Sequence, residues 1–277
     1  MDQKTNVIFG TWMRLLYCLN RYWMEHMLRL LMVENFNQPY LDFLSHYDDG
    51  VDLSSYDYSQ DGLSPTFDDL NKRKLAYRHR AIAEKYRKGL YNLLNQHVLK
   101  LLDNLYDLTD TYTEKWFSSA RSCLEECAGQ KRDKHPYINL SNARDTTFQH
   151  VNVLVTSGPL VPSLVKCLLY RLDKMIDCDK VYSSLEVGKL QCFSWIKERF
   201  SGPDFQFCVV GDGWEECEAA ETMNWPFVKI DLLPNSNHRF PGLTSRDLQR
   251  YITVVYEKLD KEDKEAVSHL EAYENIA

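Results

Sequence analysis

The sequence predicts an α/β fold: a parallel sheet of short strands, preceded by a large, mainly helical domain. Three observations lead there. In MRLLYCLNRYWMEHMLRLLM and KWFSSARSCLEEC, apolar residues recur at spacings of three and four, the signature of one buried helix face. From VNVLVT onward, short apolar β-branched runs alternate with helical patterns, as they do where a parallel sheet is covered on both faces. Between the two halves lies the polar stretch GQKRDKHPYINLSNARDTTFQ, a natural boundary. The expected organisation is a helical domain over 1–128, a linker over 129–150, an α/β core over 151–260 and a polar tail over 261–277.

Within the helical half, SHYDDGVDLSSYDYSQDGLSPTFDDL is acidic and rich in Ser, Asp and Gly, which predicts an irregular excursion between helices. VNVLVT at 151–156 ends in Thr156, Ser157 and Gly158 and runs into the helical pattern LVPSLVKCLLYRL, a strand-loop-helix unit. The strand KVYSS, the helix GKLQCFSWIKERF, the strand FQFCVVGD, the helix WEECEAAETM and the strand PFVKIDL continue the alternation. Ligands of such sheets sit at the carboxyl ends of the strands, where Thr156 and Asp212 fall.

Composition narrows the function classes. With 277 residues, of which 44% are hydrophobic and 26% charged, the chain has the make-up of a globular protein large enough for an enzyme. Its net charge of -7 argues against a general nucleic-acid binder. No apolar run reaches the roughly 18 residues of a membrane span. Arg14, Arg21, Glu25, His26 and Arg29 interrupt the apolar N-terminal stretch, so no signal peptide is expected and the location is read as intracellular. Of the eight cysteines only Cys123 and Cys127 lie close together, which predicts reduced thiols and no zinc site.

Asp212 stands at a strand tip between Gly211 and Gly213, which are expected to let the chain turn sharply and leave the carboxylate open. Hard cations such as Mg²⁺ take carboxylate oxygen and retain several waters, so one or two such groups suffice. GDG by itself also reads as a plain turn. Glu215 and Glu216 fall in the first turn of the next helix, where acids suit the helix dipole. Lys189 opens a helix after Gly188 and offers a point charge for a phosphate or a carboxylate, though lysines at helix starts are commonly solvated. Thr156 and Ser157 offer hydroxyl and backbone N–H groups to a phosphate oxygen, or a helix cap.

In that order, hydroxyl, lysine and aspartate resemble the phosphate-transfer motifs of the haloacid dehalogenase (HAD) superfamily. NVLVTSGPLVPSLVKCLLYRL, VYSSLEVGKLQCFSWIKERF and FCVVGDGWEECEAAETMNWPFVKI resemble the Eyes absent family, and DDLNKRKLAYRHRAIAEKY with HRFPGLT resembles its plant members, over about residues 25–257. The resemblance implies a HAD-like Rossmannoid core with a helical insertion, and a Mg²⁺-dependent protein tyrosine phosphatase working through an aspartyl-phosphate. It implies phosphate binding by Thr156 with Ser157 and Gly158, a charge-steadying role for Lys189, Mg²⁺ ligation by Asp212 and support of the metal's waters by Glu216. The family's strand-Asp-x-Asp-Glu-Thr, which carries nucleophile and general acid, is expected before the helical insertion and does not occur in this sequence. Asp177-Cys178-Asp179 lacks the preceding strand and following hydroxyl and reads as a turn. Truncation, an alternative start and a pseudophosphatase all remain open on these residues. Without the nucleophile strand a poorly soluble chain is expected, unless TNVIFG at 5–10 fills its slot.

The implied substrates are a phosphotyrosine protein or a small aryl phosphate; a transcription-related protein partner and a cytoplasmic or nuclear location are further implications. The alternative is an interaction module without turnover. Nucleic-acid binding through Lys72, Arg73, Lys74, Arg78, His79 and Arg80 is a third reading, but Asp68, Asp69 and Glu84 flank these residues and favour a solvated or phosphate-facing surface.

Overall fold

The computed structural model describes residues 37–64, 66, 68–128, 150–202, 205–231, 236 and 238–257. The N-terminal helical pattern at 13–32, TNVIFG at 5–10, the linker residues 129–149 and the tail at 261–277 lie outside them. The chain divides into two compact units, Met1–Gly188 and Lys189–Ala277.

The first unit is mostly helical. Helix α1 (Gln38–Ser45) starts with a proline in its first turn, where the missing N–H costs nothing, and buries Gln38, Leu41 and Leu44 along one face. Helix α2 (Asp69–Lys88) is capped by Asp68, whose carboxylate accepts from the Asn71 N–H at 2.8 Å. It ends at Gly89, whose φ of +73° suits glycine. Helix α3 (Leu90–Leu93) is one turn long. Helix α4 (Gln96–Tyr112) is capped by Asn95, and helix α5 (Trp116–Cys127) follows. Strand β1 (Leu154–Thr156), helix α6 (Leu160–Leu169), a 3-10 turn at Cys178–Lys180 and strand β2 (Val181–Ser183) complete the unit. Leu41, Leu44, Leu75, Ile82, Tyr86, Leu102, Leu164, Leu168 and Val181 belong to one apolar core, so the crossover between the strands packs together with the helices before it.

The acidic excursion over 46–68 is ordered by the cations of α2. Arg80 pairs with Asp48 at 2.8 Å and Arg73 with Asp49 at 3.8 Å, and the Lys74 ammonium donates to the Gly62 carbonyl at 3.2 Å. Arg78, buried in α2, pairs with Asp61 and donates to the Tyr58 carbonyl at 2.8 Å. The Tyr77 hydroxyl binds Asp49 at 2.8 Å. Of these basic residues only Arg78 is buried; Arg73 stays half exposed, in keeping with the solvated surface expected, while Arg73, Arg78 and Arg80 also reach carboxylates of the excursion.

In the second unit, helix α7 (Gly188–Arg199), strand β3 (Val209–Gly211), helix α8 (Trp214–Thr222) and strand β4 (Phe227–Lys229) follow in order, and residues 245–257 form helix α9. Trp225 stacks on Phe207 at 4.3 Å and on Phe193 at 5.2 Å between ring centroids. Both sets of strands are parallel, as expected: β1 pairs with β2, register Leu154 to Val181, and β3 with β4, register Val209 to Phe227. Among the described residues they form two two-stranded ladders, one in each unit. Each ladder is the product of one strand-helix-strand crossover, and a local crossover specifies only its own pair.

Arg78 and Asp61 are buried partners, so Arg78→Met is expected to strand a carboxylate and destabilise the chain by about 3 kcal/mol in urea unfolding. Burial alone would raise the Asp61 carboxyl, but the hydrogen bond and charge of Arg78 outweigh it and hold it below the usual range. That contribution is complete above the unfolded value of about 3.9 and is lost as pH falls through the folded value. Asp61→Asn should remove this part of the acid limb of a stability-against-pH curve.

Candidate active site

The loop after β1 is built around Thr156. Its Oγ1 accepts from the Gly158 N–H at 3.2 Å, closing a hydroxyl turn, and Ser163 Oγ reaches the same oxygen at 3.5 Å. The Thr156 hydroxyl does not cap α6; the residue before that helix is Pro159, with no side-chain cap. Its hydroxyl proton is thus left to point at an acceptor, and Ser157 beside it is exposed. Two serines at the end of β2, Ser183 and Ser184, hold the loop. Ser184 donates its N–H to the Thr156 carbonyl at 2.7 Å and its hydroxyl to the same oxygen at 3.1 Å, while Ser183 Oγ donates to the Gly158 carbonyl at 2.8 Å.

The far edge of β2 is closed by two carboxamides that the sequence did not single out. Asn37 Nδ2 donates to the Ser183 carbonyl at 2.6 Å and its Oδ1 accepts the Ser183 N–H at 2.8 Å, the pair of bonds a neighbouring strand would make. Gln38 Nε2 donates to the Val181 carbonyl at 3.2 Å and to that of Cys178 at 3.0 Å. The one sequence signal was the pair of amides just ahead of Pro39.

In the second unit, α7 opens at Gly188, whose φ of +78° is a glycine conformation. Lys189 follows. It is not solvated: it is 6% exposed, and its Nζ lies 3.2 Å from Glu216 Oε1 on the first turn of α8. Cys192, one turn on from Lys189, is fully buried, and burial pushes its thiol up to about 11 against the opposing charge of Lys189. Asp212 sits directly after β3, exposed, and makes no hydrogen bond or ion pair with the described residues. Glu215 and Glu216 occupy the first turn of α8 as expected.

The chain bends at Asp212 and Gly213 as expected, but the bend does not require glycine there. Gly213 has φ −97° and ψ 164°, extended backbone open to any residue, and Gly211 has no positive φ. What both provide is room for Glu216, whose side chain folds back over the loop. A Cβ on Gly211 would lie 3.2 Å from Glu216 Cγ, and one on Gly213 2.3 Å from Glu216 Oε2. Lys189, Glu216 and the Gly211–Gly213 loop thus form one cluster, while Thr156, Ser157 and Gly158 form another within the first unit. Asp177 immediately precedes the 3-10 turn before β2 and pairs with Lys180, and Asp179 lies within that turn. Among the described residues no three His, Cys, Asp or Glu side chains converge as a metal cage.

No protein-family profile matches the chain. Against individual proteins, it is 51% identical over 249 residues to Protein phosphatase EYA of Arabidopsis thaliana, covering 87% of this chain and 80% of that protein. The chain belongs to the Eyes absent family. Animal Eyes absent proteins are more distant. Human Protein phosphatase EYA2 is 31% identical and Drosophila melanogaster Protein phosphatase eya 30% identical, each matched over 72% of this chain. The match spans only 36% of the human and 26% of the fly protein.

The edge amide of Asn37 supports the loop that carries Thr156, by way of Ser183. Asn37→Ala removes both of its hydrogen bonds to buried Ser183 and is expected to cost about 1–3 kcal/mol in chemical unfolding. Exchange of the Ser183 amide proton should accelerate with it.

Proposed function

We propose that the chain descends from Mg²⁺-dependent tyrosine phosphatases of the HAD type, and carries their phosphate-binding and metal-holding groups without their nucleophile. The observation that carries the reading is the buried Lys189 paired with Glu216 beside the exposed Asp212 carboxylate. A buried ammonium needs a carboxylate partner, and Glu216 supplies it within the loop that carries Asp212. The names of the relatives support phosphatase chemistry on phosphoproteins.

Asp212 is the residue that would hold Mg²⁺, with Glu216 beside the ion's waters; a lone carboxylate suits an ion that retains most of its hydration. When bound, the ion would neutralise charge on a phosphoryl group. Lys189 supplies a fixed positive charge whose geometry is set by Glu216, and so needs little reorganisation when a phosphate arrives. Thr156, its oxygen already engaged by Gly158, donates its proton to a phosphate oxygen, with Ser157 as a second donor. No residue of the sequence supplies the Asp-x-Asp-Glu-Thr carboxylates, so neither the attack nor the protonation of the leaving group is assigned. That absence favours a second reading, a non-catalytic interaction module of the same ancestry. A phosphotyrosine protein or small aryl phosphate as ligand, a transcription-related partner and a cytoplasmic or nuclear location belong to the proposal. No helix among the described residues is long and apolar enough to cross a membrane.

Purified chain should hydrolyse p-nitrophenyl phosphate near background, with or without Mg²⁺; robust turnover abolished by Asp212→Asn would overturn the assignment of a missing nucleophile. Replacing residues 1–20 with a relative's strand-Asp-x-Asp-Glu-Thr segment should produce Mg²⁺-dependent activity. That activity should fall about a hundredfold when Asp212 or Lys189 is neutralised, and less in Thr156→Ala. A folded chimera that stays inactive would decide for the interaction module.

A further inference from the structure

We infer that Gly213 is a positioning residue: by carrying no side chain it holds the Glu216 carboxylate against Lys189. Glycine is retained in a chain for one of two reasons, a backbone conformation closed to other residues or space that a side chain would fill. Gly188 shows the first reason in isolation, with φ +78° and nothing within 4 Å of where its Cβ would stand. Gly213 shows the second. Its φ of −97° and ψ of 164° are open to any residue, yet a Cβ there would lie 2.3 Å from Glu216 Oε2, 3.2 Å from Cδ and 3.5 Å from Oε1.

A flexible carboxylate normally moves aside from such a contact at little cost. This one is engaged, because its other oxygen lies 3.2 Å from the Lys189 ammonium, and Lys189 is 6% exposed against 22% for Glu216. Glu216 has solvent to turn into, and Lys189 does not. A methyl group on Gly213 therefore drives the carboxylate outward and leaves a buried cation with a weakened partner. The stem of Glu216 is set in the same way, since its Cβ and Cγ pass 3.3 and 3.2 Å from the Cβ position of Gly211. The two glycines around Asp212 are thus a mould for Glu216, and through it for the charge at Lys189. The functional weight of that charge rests on the phosphatase reading; the mould does not.

A double-mutant cycle in the full chain tests it by thermal unfolding. Gly213→Ala alone should lower the midpoint by roughly 4–8 °C. In a Glu216→Ala background the obstacle is gone, and the same Gly213→Ala change should cause no loss and a gain of roughly 1–2 °C, because alanine restricts the unfolded chain in a conformation it tolerates. This reversal of sign is what a purely conformational role for the glycine cannot produce. Equal losses in both backgrounds, or no loss in the wild-type background, would overturn the inference. If the Gly213→Ala chain fails to fold, a folded double variant supports the inference and an unfolded one overturns it. Calorimetric titration of the wild-type chain with MgCl₂ separates the two questions: a chain that shows the cycle but binds no Mg²⁺ refutes the metal assignment alone.

Discussion

Strands of three residues cannot satisfy their own backbones, and much of this structure follows from how side chains do it for them. β2 is buried throughout, so the edge it turns away from β1 has no water to turn to. Asn37 and Gln38 close that edge with carboxamides placed as a neighbouring strand would place its peptide groups. With its edge closed, β2 hands on the hydroxyls of Ser183 and Ser184 to the loop after β1, and the conformation of Thr156 and Gly158 rests on them. The second unit uses the same device, where the Tyr256 hydroxyl bonds both the N–H and the C=O of Phe207 just before β3 begins. The strands are accordingly shorter than the apolar runs that contain them.

Charge is spent in a similarly local way. A chain of net charge -7 would be expected to display its carboxylates to solvent, and Asp52 and Asp57 of the 46–68 excursion do, but Asp48, Asp49 and Asp61 each meet a cation of α2. Arg78 is buried and cannot relax into water, so Asp61 and the Tyr58 carbonyl together have to satisfy its guanidinium. Lys189 stands under the same constraint in the second unit, where Glu216 meets it. The difference lies in what surrounds each pair. Asp61 is nearly as buried as Arg78, with tyrosines packed around the excursion, whereas Glu216 retains access to solvent beside a free carboxylate at a strand tip.

The alternation of strand and helix from residue 151 onward, the parallel sense of the strands, the helical character of residues 69–127 and membership of the Eyes absent family were all determined by the sequence itself. Each depends on the period of apolar residues or on contiguous motifs, and both are local. Lys189, Asp212 and Glu216 could also be named from the sequence, because their motifs are contiguous. Only the tertiary structure decided what these residues do to one another. It made Lys189 a buried partner of Glu216 in place of a solvated helix start, and showed that Gly213 makes room for Glu216 at the bend. It turned a basic stretch that read as a surface into the partner of an acidic excursion, and brought Asn37 to Ser183 across 146 residues. A hydrogen bond or ion pair between distant residues leaves no period in the sequence; its members are polar residues like any others until packing removes the water around them.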